Sequence, residues 1–286
     1  MKNAIYLIGL LALIFLISFL FQEDSMKDIT IYTGYYPIEY ITERLYGENS
    51  KVLSIYPDGV DIDNYKLNNK LLKDYSKSNL FVFVGLSNEK DYAVSMLNTN
   101  KNLKIIDGSL GMEYFSQIEE IWLNPSNMLM IAQNIRNGFK EYIDNPYLIK
   151  EIDENYEELK VELSEIDADF KLMIEAASNR NIVVTSDLYN FFDKYDLQVT
   201  SLEENDELTE KTVSTVISMI KSGSIKYIYS TGPLNETTNQ IVSETGVEVL
   251  YLHSLANISE AERNDNQNYF TFIRENMDLF KKQLYN

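Results

Sequence analysis

Carboxylates and the chain's single imidazole fall in four short stretches at the ends of strand-like runs. Asp61 and Asp63 sit in PDGVDIDNY, and Glu120 in Glu119-Glu120-Ile121-Trp122. Ser186 and Asp187 follow IVVT, and His253 lies in Leu252-His253-Ser254. Oxygen and nitrogen donors converging from separate loops are what a divalent cation needs. Each residue alone has a plainer explanation. Loop carboxylates are usually just solvated, Asp187 suits a helix N-cap, and His253 suits a satisfied core position. An Asp-x-Asp pair is a weak signal by itself, and a Trp such as Trp122 is more often core. Polar sets at four equivalent strand ends carry more weight than any one of them.

Other chemistries find little support. The chain has no cysteine and one histidine, which excludes thiolate metal sites, Cys nucleophiles, disulfides and a His-rich zinc site. No Gly-rich phosphate loop, G-x-S-x-G elbow or H-E-x-x-H is present, and His253 beside Ser254 makes no triad, so the chain does not read as an enzyme. A formal net charge of −19 argues against nucleic acid and allows a cationic ligand or partner.

The elements that would position these residues alternate. Strand-like runs occur at 29–33, 51–56, 80–84 and 103–106, then at 181–185, 198–201, 225–229 and 247–252. Helical patterns fill the intervals, at 37–45, 68–76, 89–97, 124–142, 188–195, 207–222, 234–245 and 265–284. Such alternation predicts mainly parallel sheets covered by helices. Between the two blocks lies NPYLIKEIDENYEELKVELSEIDADFKLMIEAA. Leu148, Ile152, Tyr156, Leu159, Leu163, Ile166, Phe170, Met173 and Ala177 recur there at steps of three and four, which is one apolar stripe along a helix. Asn145 suits the N-cap and Pro146 the first helical position. At about 1.5 Å per residue the helix is roughly 45–50 Å long, wider than one small domain. The expected fold class is therefore α/β: two lobes, at 28–144 and 179–286, joined by one long rigid helix at 145–178. Open parallel sheets bind ligands beyond the carboxyl ends of their strands, so the cleft between the lobes is the place to look.

The first 27 residues form a separate segment. Ala4 to Phe21 is an uninterrupted apolar run after Lys2, with bulky residues where a cleavage site would need small ones. We expect an uncleaved signal anchor with the rest of the chain on the extracytoplasmic face, cleavage being the alternative.

From about Ile29 to Leu284 the chain resembles the zinc/manganese group of ABC-importer solute-binding proteins. PDGVDIDNYKLNNKLLKDYSKSNLFVFVG is similar to the family's stretch running from Pro-Gly-x-x-Pro-His to a helix, a strand and Asn-Gly. EEIWLNPSNMLMIAQNI resembles its His-x-Trp-Leu-Asp-Pro, IVVTSDLYNFFDKYDL the segment bearing the third ligand, and GVEVLYLHSL the last strand with its Leu-Asp ending. DNQNYFTFIRENMDLFKKQL resembles its closing helix. The resemblance implies two α/β lobes on one long helix, a divalent cation of the Mn or Zn type as transported ligand, and a membrane ABC permease as partner to a monomer. It places the metal ligands at Asp63, Glu120, Ser186 or Asp187, and His253. Every one departs from the family's residue: Asp63 and Glu120 stand for histidines, Ser186 or Asp187 for a histidine or glutamate, and His253 for an aspartate. The lipid-bearing Cys and the His-rich loop are absent. Three carboxylates and one imidazole suit an oxygen-loving cation such as Mn²⁺ better than Zn²⁺. The alternative is a site without metal, in a surface interaction protein or adhesin or a binder of another solute.

Overall fold

The structure, a computed structural model, describes residues 26–285. The run from Ala4 to Phe21, expected to be the anchor, lies outside the described residues. No helix among the described residues is long and apolar enough to cross a membrane.

All eight expected strands form, with ends within two residues of those expected. In the first lobe, β1 (Ile29–Thr33), β2 (Ser50–Ser54), β3 (Leu80–Phe83) and β4 (Lys104–Asp107) make a sheet of order β2-β1-β3-β4. In the second, β5 (Asn181–Val184), β6 (Gln198–Ser201), β7 (Tyr227–Ser230) and β8 (Glu248–Tyr251) repeat that order as β6-β5-β7-β8. Every pairing is parallel. The central strand β3 is buried throughout, as expected of a strand covered on both faces.

The covering helices are α1 (Tyr36–Tyr46), α2 (Asn69–Tyr75), α3 (Glu89–Thr99), α4 (Glu120–Leu123) and α5 (Pro125–Tyr142) in the first lobe. After the long α6 (Pro146–Glu175) come α7 (Glu210–Lys221), α8 (Glu236–Thr245), α9 (Glu260–Asn264) and α10 (Tyr269–Leu284). Between β5 and β6 the expected helix is a 3-10 helix, Asp187–Tyr195, rather than an α-helix. Tyr189, Phe192 and Tyr195 recur there every three residues, which is the period of the tighter helix. Phe170 of α6 packs on Phe191, Phe192 and Tyr195 of this turn, so the aromatic contacts favour the 3-10 geometry.

Helix α6 begins as its sequence dictates. The Asn145 side chain accepts the Tyr147 N–H at 2.9 Å, and Pro146 occupies the first turn. The stripe from Leu148 to Met173 is buried, with Ile174 beside it. One lobe packs α1 and α5 on this stripe, the other packs Asp187–Tyr195 and α10. A single apolar core therefore runs through both lobes. A smaller cluster of Val183, Leu202, Val216, Ile225, Ile228, Ile241 and Val247 sits under α7 and α8. Arg44 with Glu162 and Arg136 with Asp153 tie α6 to the first lobe, and Lys194 with Asp167 ties it to the second. Such half-exposed pairs contribute little each; the buried stripe holds the lobes together.

Candidate metal centre

The carboxyl ends of both sheets open onto one cavity of about 630 Å³. The first lobe lines it with Gly59–Asp63 beyond β2, and with Gln117 and Glu119 beyond β4. The second lobe contributes Thr185 and Ser186 after β5, Ser230 at the end of β7 with Thr231 to Pro233 and Asn235 after it, and, after β8, Leu252 to Ser254, Ala256 to Ser259 and Glu262. The topology explains the location, because loops leaving parallel strands on the same side must converge there.

Asp63 lies in this cleft. An Asx turn shapes its loop: the Asp61 carboxylate accepts the Asp63 N–H at 3.1 Å and the Asn64 amide at 2.7 Å. Asp61 is thereby occupied, and Asp63 keeps its carboxylate free of any Lys or Arg among the described residues. Ser186 also lines the cavity, buried, and caps the following turn by accepting the Leu188 N–H.

His253 lines the cavity with both ring nitrogens engaged. Its Nδ1 accepts the Leu255 N–H at 2.9 Å, and its Nε2 faces Glu262 Oε1 at 3.3 Å. The neutral ring therefore carries its proton on Nε2. The imidazole stacks on Phe272, 3.9 Å between centroids and 7° from parallel. Burial holds its pKa below the ordinary value, against the opposing pull of Glu262. Although burial raises Glu262, its hydrogen bonds from Ser259 and the nearby imidazole hold its carboxyl below the usual range.

Glu120 and Asp187 point elsewhere. The Glu120 carboxylate accepts the N–H groups of Phe115 and Ser116, both at 2.9 Å, and so clamps the loop before α4. Asp187 accepts the Asn205 amide at 3.0 Å in a separate surface depression, while its own N–H donates to Glu203. In the cleft stands Glu119, one residue before Glu120. Burial, with the Asp63 carboxylate nearby, raises its pKa above the ordinary value. Sequence reasoning passed over Glu119 and Glu262. The Ser259-x-x-Glu262 capping box was readable as a helix start, and Glu262 is where that box meets the cleft.

Trp122 is core, fully buried, and it stitches the cleft's roots together. Its indole donates to the Ser254 carbonyl at 2.9 Å, its own carbonyl accepts the Tyr269 hydroxyl at 2.7 Å, and its ring packs 4.8 Å from Tyr35. Beneath, Glu89 is fully buried and joins the ends of β1 and β3 by accepting the Tyr35 N–H at 3.1 Å and the Val84 N–H at 2.8 Å.

The cavity thus carries Asp61, Asp63, Glu119 and Glu262 with no Lys or Arg in its lining. Hydroxyls and amides, including Thr185, Ser230, Asn235 and Ser259, complete the walls. Among the described residues, no three Asp, Glu or His side chains converge closely enough to hold one metal ion. In this conformation the walls offer an acidic, oxygen-rich cleft rather than an assembled coordination shell.

Two α/β lobes on a single long helix, with an acidic cleft between their sheets, define a two-lobe binding-protein architecture. The model of the family described as ZnuA, zinc-uptake complex component A, periplasmic, matches residues 31–283, and the chain belongs to that family. It is 22% identical over 290 residues to the zinc-binding protein AdcA of Streptococcus pyogenes serotype M1, covering 88% of this chain. It spans 55% of that relative's length, about half. The crystal structure of the Zn(II)-bound ZnuA-like domain of Streptococcus pneumoniae AdcA superposes with a TM-score of 0.72 at 18% identity, covering 91% of this chain and all of that one. The metal-dependent lipoprotein YcdH of Bacillus subtilis gives a TM-score of 0.74 at 17% identity, again over 91% of this chain and all of that one. These likenesses show the fold.

Proposed function

We propose that the chain is the extracytoplasmic solute-binding component of a metal-ion ABC importer. It captures a divalent cation between the lobes and hands it to a membrane permease, without catalysing a reaction. The observation that carries this reading is the cleft at the ends of both sheets, lined by Asp63, Glu119 and other carboxylates with no Lys or Arg. Family membership supports a metal as cargo. The all-oxygen first-lobe wall favours a hard cation such as Mn²⁺ over Zn²⁺. Asp63, Glu119, Ser186 and His253 are the residues assigned to it, His253 through Nε2 once the ring proton moves to Nδ1 and the Leu255 N–H leaves that nitrogen. Capture then includes a small closure of the walls that brings these groups within common reach. The protein works as a monomer, and the segment from Ala4 to Phe21 holds it at the membrane.

The test is thermal unfolding of the chelator-stripped chain from Asp28 onward, with Mn²⁺, Zn²⁺, Ca²⁺ and Mg²⁺ at equal concentrations. A rise in Tm selective for one cation and growing with its concentration is expected, because a ligand of the native state stabilises it by mass action. No shift with any of them sinks the metal reading. A second reading, capture of an organic cation, is favoured by a cavity of about 630 Å³ with hydroxyl and amide walls, far larger than one ion requires. Adding diamines and polyamines to the same assay separates the two.

A further inference from the structure

The two sides of the cleft that carry Asp63 and His253 are far apart in sequence, yet the structure joins them directly along and behind the cavity wall. The Gly59 N–H donates to the Ile258 carbonyl at 2.8 Å, and the Tyr36 N–H to the Ala256 carbonyl at 3.1 Å. The Asn257 amide donates to the carbonyls of Pro57 and Val60, at 3.0 and 2.9 Å. Arg263, in α9, completes the joint. Its Nε and Nη2 donate to the two Asp58 oxygens at 2.9 and 2.8 Å, and its Nη1 and Nη2 donate to the two Glu39 oxygens, both at 3.2 Å. One guanidinium thus grips two carboxylates of the first lobe, one beside the Asp63 loop and one on α1.

Only a planar fork with several fixed donors can serve two carboxylates in this way; an ammonium is a point charge and cannot reproduce it. The Glu39 side chain is 10% exposed, so without Arg263 it is left buried facing the like charge of Asp58. Burial already pushes its pKa up, and Arg263 is what draws it back. Loss of the guanidinium therefore drives Asp58, and the loop behind it, away from α1 and α9.

We infer that Arg263, which does not line the cavity, is a positioning residue that fixes the spacing between Asp63 and His253 by locking the 57–63 loop to the 253–262 segment. These two segments move as one body. Closure around cargo comes from the opposite wall, Thr185–Ser186 and Ser230–Asn235. The part of this inference that concerns cargo rests on the cation-capture reading above; the joint itself does not.

The experiment uses the full chain in mild detergent as wild type, Arg263→Lys and Arg263→Gln, with Glu39→Gln/Asp58→Asn approaching the same contact from its other side. Two readouts are taken: amide hydrogen exchange at Gly59 and Tyr36, and the Mn²⁺-induced rise in Tm. We expect exchange at both amides at least tenfold faster in Arg263→Gln and in the double variant, with β3 amides unchanged. The Mn²⁺ concentration giving half the Tm rise should increase severalfold. Arg263→Lys, which keeps the charge and is the variant that folds if Arg263→Gln does not, should show the same direction in both readouts. Unchanged exchange at Gly59 overturns the joint. Faster exchange with an unaltered Mn²⁺ response overturns the positioning role and leaves Arg263 a structural residue. A wild type indifferent to Mn²⁺ and to the other cations removes the capture reading and the positioning role with it, while Gly59 exchange still decides the joint.

Discussion

The Nε2 of His253 lies 3.3 Å from Oε1 of Glu262, while its Nδ1 already accepts the Leu255 N–H at 2.9 Å. The only imidazole of the chain is thus held in one tautomer and one orientation, by a backbone amide on one side and a carboxylate on the other. Leu255 has φ +62°, so this turn is a strained one for a residue with a side chain. A cation that takes Nε2 requires the ring proton to move to Nδ1, so the Leu255 N–H must leave that nitrogen, and Glu262 is freed as a neighbour.

Replacing His253 separates the ring's two roles. His253→Ala leaves the Leu255 N–H without its acceptor and removes the stack on Phe272. A loss of about 1–3 kcal/mol is expected in the metal-free protein, together with a much weaker response to cation. His253→Phe restores the stack but offers no nitrogen, so it should recover part of the stability and none of the cation response. Urea unfolding with and without Mn²⁺ measures both.

Glu119 and Glu120 are neighbours with opposite expected behaviour. Glu119→Gln removes a cavity carboxylate held near Asp63. It should weaken cation binding about tenfold or more and leave the metal-free protein as stable or slightly more so, since a half-buried charge beside a like charge is lost. Glu120→Gln should preserve cation binding. Both N–H groups share Oε2, so the amide oxygen can still accept them but without the charge; a cost of about 1 kcal/mol is expected, with faster exchange at Phe115 and Ser116. Equal loss of binding in both variants would contradict this assignment.

Glu89 makes stability depend on pH. Burial pushes its pKa up to about 8 in the folded chain, against an ordinary value of 4.5. A raised carboxyl pKa means that the folded state holds the proton more tightly. The associated stability is fully present below pH 4.5 and is lost as pH rises through about 8. Unfolding free energies measured from pH 5 to 8.5 should fall along this window. Glu89→Gln should flatten this part of the profile while lowering stability by about 1–3 kcal/mol at acidic pH, because one of the two bonded N–H groups loses its acceptor.

Gly34 tests the same contact from the other side. A Cβ placed there would meet Glu89 Oε1 at 1.8 Å and its carboxyl carbon at 2.2 Å. Gly34→Ala must push Glu89 off the Tyr35 and Val84 amides, and a cost of about 3 kcal/mol is expected from overpacking. Pairing it with Glu89→Ala, which opens the space, should cost less than the sum of the two single changes.

Much of the architecture was legible in one dimension because it follows from local periodicity. The stripe from Leu148 to Met173 announced α6, Asn145 and Pro146 marked its start, and the β-branched runs located all eight strands. Parallel sheets followed from the alternation, and the cleft followed from the parallel sheets. Asp63, Ser186 and His253 lie at the cavity wall because residues beyond strand ends are placed by the strands themselves. What the chain's order could not decide was which of two adjacent residues faces the cavity. Consecutive helical residues point about 100° apart, so a shift of one residue in the phase of a short turn exchanges their roles. The single turn of α4 buries Ile121, Trp122 and Leu123, which turns Glu120 back onto Phe115 and Ser116 and leaves Glu119 to the cleft. After β5, a 3-10 helix phased by Tyr189 and Phe192 sends Asp187 towards Asn205 and keeps Ser186 at the cavity wall. The joint between Arg263 and the two carboxylates Glu39 and Asp58 spans more than two hundred residues of sequence. Only tertiary packing brings such groups together, because no local propensity records a contact between segments so far apart.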